Sequence, residues 1–371
     1  MPFDSEGIEY SAWLASAGLP SARMIRLIDS YGDPAGCYQA FQRNDTEFME
    51  MISPRIRELL NLNGMPDRIG KMRQVMDHHG IRTIHIHDSV YPEKLKQISD
   101  PPGILFFQGK LSCLNQKILA MVGSRAASYN GQKATRKIAK DLSSRGVTII
   151  SGMASGIDTS AHTGCLEGGS PTVAVAGCGL DMVYPASNRN LRDRMIEQNG
   201  LLLSEYPPGE KPAGWHFPVR NRIITGLADA LIVMEARIRS GSMTSVQLAL
   251  EQGKDIFVYP GDPASEYYEG NHQLLREGGL YFTSAEDILT DLHWLDNPSP
   301  VRHNSDCSTE TQRMSANETA VINALKPGSL GFEKLVSMTG LGPSEMMSTL
   351  TILQIGGIIE ALPGKQYQLK R

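Results

Sequence analysis

Three short Gly/Ser loops, each following an apolar run, hold the residues of this chain best suited to chemistry. They are Val122-Gly123-Ser124-Arg125, the stretch SGMASGID from Ser151 to Asp158, and RSGSMTS from Arg239 to Ser245. Glycine lets a backbone turn sharply and approach a ligand closely, and a loop running into a helix presents unpaired N–H groups to an anion. In the first loop Gly123 and Ser124 can turn and donate, while Arg125 offers a planar fork suited to phosphate oxygens. In the third, Ser240, Gly241, Ser242 and Thr244 place hydroxyl and backbone donors at a helix start. Three such loops in one domain, two of them with an arginine alongside, describe a surface for several phosphates and therefore a polyanion.

The spacing excludes the commoner nucleotide sites. Gly152 and Gly156 do not make the GxGxxG dinucleotide fingerprint, and no acid stands where a ribose would be held. The third loop lacks the lysine of a P-loop, which removes ATP hydrolysis. Asp158 and His162 fall at i,i+4 and can pair on a helix; with no nucleophile at fixed spacing, a helix-start cap and its partner is the expected reading. His78, His79, His85 and His87 form a His-rich tract, with His85 and His87 expected on one strand face. No further ligands accompany them, so no metal is expected, and no cofactor either.

Between the second and third loops lies GWHFPVRNRIITG, in which Trp215, His216 and Phe217 adjoin Arg220, Asn221 and Arg222. Arginines beside aromatics supply charge for a backbone and flat faces for bases, as single-stranded nucleic acid requires. Upstream, YPASNRNLRDR adds Tyr184, Asn188, Arg189 and Arg192. Residues 184–240 carry eight Lys/Arg against six Asp/Glu, a local +2 in a chain of net charge −4. A general basic binder is excluded by that balance; a local basic pocket is not.

The elements that must position these loops follow from periodicity. At 371 residues, 41% hydrophobic and 20% charged, the chain can build more than one domain. Residues 1–75 read as short helices, including GLPSARMIRLIDSYGDP and SPRIRELLNLNG, the latter stopping at Gly64. IRTIHIHD alternates like a strand. KILAMVG, VTIISG, TVAVAG, LLLSEY, ALIVME, DIFVYPG and LYFTS then alternate with helical stretches, within a domain of residues 76–290. Short continuous apolar strands interleaved with helices imply an α/β, Rossmann-like, mostly parallel sheet flanked by helices. Residues 291–315 collect Asn, Pro, Ser and Thr as a linker. Residues 316–371 read as three helices and a hairpin around Pro363-Gly364, a winged helix. Its five Lys/Arg from residue 314 onward against four glutamates leave protein contact at least as well supported as DNA contact. The N-terminus has no basic run of a signal peptide, and no apolar stretch approaches the roughly 20 residues of a membrane helix. Five cysteines without a CxxC fit a reduced cytoplasm.

Taken in order, VGSR, SGMASGIDTSAH, VAVAGCGLDMVYP with its trailing Asn188, SEYPPGE, HFPVRNRIITGL and RSGSMTS resemble the DNA-processing protein A family (DprA, also called Smf) over about residues 90–290. YPEKLKQISDPPGILFFQG is similar to the family's entry into its Rossmann-like domain. The N-terminal helices resemble its sterile-alpha-motif-like domain, and the C-terminus its optional winged helix. The resemblance implies a cytoplasmic, homodimeric, non-enzymatic protein that protects incoming single-stranded DNA during natural transformation and loads RecA recombinase onto it. Carried over by residue, the DNA pocket would use Gly123, Ser124 and Arg125; Ser151, Gly152, Ala154, Gly156 and Ile157; Asn188 and Arg189; Phe217, Arg220, Asn221 and Arg222; and Ser240, Gly241 and Ser242. Arg125 and Arg222 would neutralise phosphates and Phe217 would stack on a base. Ala186 departs from a lysine that some members carry, and Arg189 offers that charge. The alternatives are a phosphoribohydrolase of the PGGxGTxxE type, in which Gln247 stands where a glutamate is needed, and a small-nucleotide sensor.

Overall fold

The structure, a computed structural model, describes residues 7–295, 316–355, 358–362 and 366–369. Those up to 295 form one compact unit and those from 316 a second.

All seven apolar runs expected as parallel strands are strands: β3 (Ile118–Gly123), β4 (Thr148–Ser151), β5 (Thr172–Ala176), β6 (Leu201–Ser204), β7 (Ala230–Glu235), β8 (Asp255–Val258) and β9 (Leu280–Tyr281). They pair in parallel in the order β6-β5-β4-β3-β7-β8-β9. Two strands precede them, β1 (Arg82–His85) and β2 (Ile104–Gly109), and β2 joins the sheet antiparallel to β6. The run ILFF in β2 carries no strand-like alternation in the sequence, because it is buried on both faces. β1 ends at His85, and His87 falls in the turn beyond it. The two histidines bind separate carboxylates, His85 on Asp88 at 3.1 Å and His87 on Asp29 at 2.6 Å.

Alternation along the strands sorts their side chains onto two faces. Leu105, Phe107, Val173, Val175, Leu201, Leu203, Leu231 and Val233 share one face. Over it lie α7 (Glu93–Lys96), α11 (His216–Leu227), α12 (Gly241–Glu251) and α13 (Glu269–Arg276). On the opposite face, Leu119, Met121, Ile149, Ile232 and Met234 meet α8 (Tyr129–Ser143), α9 (Ile157–Gly168) and α14 (Ala285–Asp291). The rest of that face, Ile104, Phe106, Ala174 and Leu202, is covered by α10 (Arg189–Glu197) and the N-terminal helices. These are α1 (Ile8–Ala15), α2 (Ser21–Tyr31), α3 (Pro34–Gln42), α4 (Thr46–Met51), α5 (Pro54–Asn63) and α6 (Pro66–His79). Their own core of Trp13, Leu27, Ile28, Phe48 and Leu60 is continuous with the sheet's. The starts are those the sequence marks: Ser53 caps α5, accepting from the Ile56 N–H, with Pro54 in the first turn and Gly64 past the end.

The second unit holds α15 (Ala316–Leu325), α16 (Phe332–Thr339) and α17 (Pro343–Ile355). A three-stranded sheet accompanies them: β10 (Leu330–Gly331), β11 (Ile359–Leu362) and β12 (Gln366–Leu369). The Pro363-Gly364 turn and residues 296–315 of the expected linker lie outside the described residues. Residues 292–295 still belong to the first unit, with Trp294 packed near α14.

Asp158 and His162 do not pair. Nor is Asp158 the expected helix-start cap: it lies inside the first turn of α9, whose start has no side-chain cap, and its carboxylate accepts from the Gly152 and Ala154 N–H groups of the preceding loop, both at 3.2 Å. His162 turns inward, its Nδ1 2.7 Å from the Thr172 hydroxyl, which donates to the Ile149 carbonyl. Nδ1 therefore donates, and Nε2 is buried without a partner among the described residues. Burial pushes this imidazole down to about 3, with the Arg220 charge adding to the effect. Unfolding then takes up a proton at any pH between about 6.5 and about 3. Stability is expected to be full above about pH 6.5 and to fall as the pH drops toward 3, by up to ~1.4 kcal/mol per pH unit from this group. Urea denaturation across that range should show the slope, and His162→Gln should flatten it.

Candidate functional site

In an open α/β sheet the ligand crevice forms outside the carboxyl ends of the strands, where successive connections diverge. Here that point lies between β3 and β7. The chain leaves β3 to build β4, β5 and β6 on one side, then returns through α11 to place β7 on the other. The β3–β7 register shifts between Val122 and Gly123, at the mouth of the split. A cleft of about 550 Å³ opens there, bounded by the loops after β3 and β4, by α11 and by the start of α12.

Contact between the first two Gly loops shapes its floor. The Ser124 N–H donates to the Glu235 carbonyl at 2.7 Å, and the Ile157 N–H donates to the Ser124 carbonyl at 3.2 Å. A Cβ on Gly123 would lie 2.5 Å from Ile157 Cγ1, and one on Gly156 would overlap the Ser124 carbonyl. Gly156 also has φ +79°, which L side chains rarely adopt. Both glycines let one loop approach the other, and of the two only Gly123 lines the cleft.

Arg220 is 3% exposed, yet it is among the residues that line the cleft. It donates to the Gly152 carbonyl at 2.8 Å and also to the Val175 carbonyl. A Cβ on Gly152 would stand 2.6 Å from its Cζ. Burial lowers the Arg220 pKa to about 10, partly offset by nearby Asp158 and deepened by Arg125. The side chain is charged at neutral pH. Burial correspondingly raises the Asp158 carboxyl, against Arg220 and two backbone N–H groups.

Arg125 is exposed and forms no ion pair among the described residues. Its guanidinium lies 4.6 Å from the Phe217 ring centroid, and Phe217 lies 5.5 Å from the ring of Tyr184. Across the cleft, no side chain caps the start of α12. The Ser240 hydroxyl there is buried with no hydrogen-bond partner among the described residues, and space is open beside Gly241. An unpaired hydroxyl, an uncapped helix start and an exposed cation facing one space suit a phosphate.

The structure thus brings Gly123, Ser124, Arg125, Ala154, Phe217, Arg220, Asn221, Ser240, Gly241 and Ser242 to one cleft. Ser151, Gly152, Gly156, Ile157, Asn188, Arg189 and Arg222 do not line it. The Ser151 hydroxyl is buried on the Met121 carbonyl, and Ile157 is core. Asn188 pegs two loops together, donating to the carbonyl of Met153 (φ +59°) at 2.8 Å and to the Thr159 hydroxyl. Arg189 is exposed at the start of α10.

Arg222 departs furthest from its expected phosphate role. It is 7% exposed and paired with Glu205 at 2.6 Å and Asp100 at 3.0 Å. Three helical positions separate it from Val219, whose carbonyl accepts from it, so it faces away from the Arg220 side of α11. The cleft also includes Tyr184, which the sequence places beside the arginine–aromatic segment, and Asp158 and Ser245, which are not among the residues expected in the pocket. Ser245 follows Gly241 by one helical turn, a signal that was present in the spacing. Gln247 is exposed, bonded to Glu251 and outside the cleft.

A family model described as DNA recombination-mediator protein A matches residues 82–293, more than half of the chain. The chain belongs to that family. A DprA winged helix domain model matches residues 308–365. The DNA processing protein DprA of Streptococcus pneumoniae is 44% identical over 209 residues, 56% of this chain and 73% of that one. Protein Smf of Escherichia coli is 36% identical over 300 residues, 80% and 78%. The X-ray structure of the pneumococcal DprA superposes with a TM-score of 0.66 at 35% identity, over 75% of this chain and 95% of that one. A Helicobacter pylori DprA structure, described as giving insight into that protein's single-stranded DNA binding mode, has a TM-score of 0.52 at 30% identity, over 57% and 95%.

The two arginines separate by stability. Arg222→Ala removes a buried guanidinium, leaves the partly buried Glu205 carboxylate with the Ser21 hydroxyl alone, and is expected to cost about 2 kcal/mol. Arg125→Ala removes an exposed group and should stay within about 0.5 kcal/mol of the parent. Guanidinium chloride denaturation of both variants checks this.

Proposed function

We propose that this protein binds single-stranded DNA in the cleft between the loops after β3 and β7. The supporting observation is convergence on one space: the unpaired Arg125 guanidinium and the unpartnered Ser240 hydroxyl at the start of α12, beside the Phe217–Tyr184 pair. Arg125 and the α12 N–H groups would hold phosphates, Arg220 would add fixed charge, and the aromatic wall would meet bases. The Helicobacter relative's reported single-stranded DNA binding agrees with this.

The wider role we propose rests on the family resemblance: protection of incoming strands in natural transformation, handing them to RecA recombinase, as a cytoplasmic homodimer and without catalysis. Phosphoribohydrolysis is less well supported, because Gln247 lies away from the cleft and Asp158 is occupied by backbone N–H groups.

Fluorescence anisotropy with labelled oligonucleotides tests the reading. Affinity should rise with strand length, favour single strands over duplex and fall with salt. A mononucleotide sensor would instead show no gain with length. Arg125→Ala should weaken binding roughly tenfold and reduce the slope of log K against log salt by about 0.7, the loss of one phosphate contact to a single strand. Arg222→Ala, assayed where it is folded, should bind as the parent does. Equal binding by Arg125→Ala, or a preference for duplex, overturns the proposal.

A further inference from the structure

Trp215 is 65% exposed in the first unit, although tryptophan is ordinarily among the more buried side chains. It is nonetheless held in place. Its ring stands edge-on to His216 at 4.1 Å and to Tyr206 at 6.3 Å. His216 is itself buried, 3.9 Å from the stacked Tyr206 ring and 3.0 Å from the Gly177 carbonyl. An exposed indole that rests edge-on against the His216 and Tyr206 rings has less conformational entropy to lose when a ligand arrives.

Its position is equally specific. Gly214 on one side and Phe217 on the other both line the cleft, so Trp215 stands at the rim within one or two residues of the wall. Space is open beside Gly214. Lys211, on the same loop, is exposed and carries no ion pair among the described residues. Thus a flat apolar face and a free cation adjoin the site without belonging to it.

We propose, resting on the single-stranded DNA reading above, that Trp215 is a stacking platform for a base of the strand where it leaves the cleft, with Lys211 on the adjoining phosphate. The strand then runs past the Gly214 rim, and the footprint exceeds what the cleft alone encloses. A ring edge-on to its supports offers a face to a base. Such stacking tolerates every base, because each has a π-face.

The full-length protein supplies the test. Trp215→Ala should weaken binding of a 20-nucleotide oligothymidylate about tenfold, with an unchanged thermal midpoint because the side chain is exposed. Trp215→Phe should retain most of the affinity. Against the same oligonucleotide with abasic sites in place of bases, parent and Trp215→Ala should bind alike, which separates stacking from a structural effect. Intrinsic fluorescence of the parent should be quenched by the oligothymidylate, and Trp215→Phe should lose that quenching. If Trp215→Ala binds as the parent does while Arg125→Ala is weakened, the platform is overturned and the cleft stands. If neither variant is weakened, the cleft reading itself fails.

Discussion

A charged guanidinium buried at the carboxyl ends of β4 and β5 organises this site. Arg220 lies among carbonyls, bridging those of Gly152 and Val175, and its seat exists because Gly152 has no side chain. Unpaired burial of a charge is strongly unfavourable, so its surroundings must answer it with oriented dipoles and with Asp158. That carboxylate in turn holds the N–H groups of Gly152 and Ala154. The loop after β4 is therefore set around a charge arriving from α11, and the loop after β3 is set against it through Gly123 and Gly156. The cleft is the space left over.

This arrangement requires a sheet that does not move, and its burial shows how that is achieved. One face is covered by α7, α11, α12 and α13. Coverage of the other is divided between α8, α9 and α14 on one half and α10 with the N-terminal helices on the other. Helices α1–α6 read in the sequence as a module of their own, and they do have a core of their own. Yet Ile104, Phe106 and Leu202 are continuous with that core, so the helices also serve as a lid on the sheet.

How far the site was legible varies residue by residue. The place of Arg125, Phe217, Ser240 and Gly241 at the cleft could be read because it is set locally: a loop at a strand end, or a helix start, determines where its own backbone and side chain stand. Arg220 and Arg222 are two residues apart on one helix, and nothing in their spacing tells which faces the cleft. Helical geometry sends them about 200° apart around the axis, one to the cleft wall and one to Glu205 and Asp100. The place of Asn188 is likewise set by tertiary contact. A polar side chain beside a Gly loop can meet a ligand or peg the loop, and only the distance to the Met153 carbonyl decides.

Strand and helix periodicity, the order of the elements, the absence of dinucleotide and P-loop spacing and the three Gly/Ser loops were determined by the sequence alone, because each is a property of neighbours along the chain. Which arginines meet solvent, which glycines make room for another loop, and that Trp215 stands exposed at the rim were decided only by the tertiary structure. These depend on contacts between segments as far apart as Gly152 and Arg220 or Asp100 and Arg222. Burial of a charge or a ring depends on what packs over it, and no local pattern of residues carries that information.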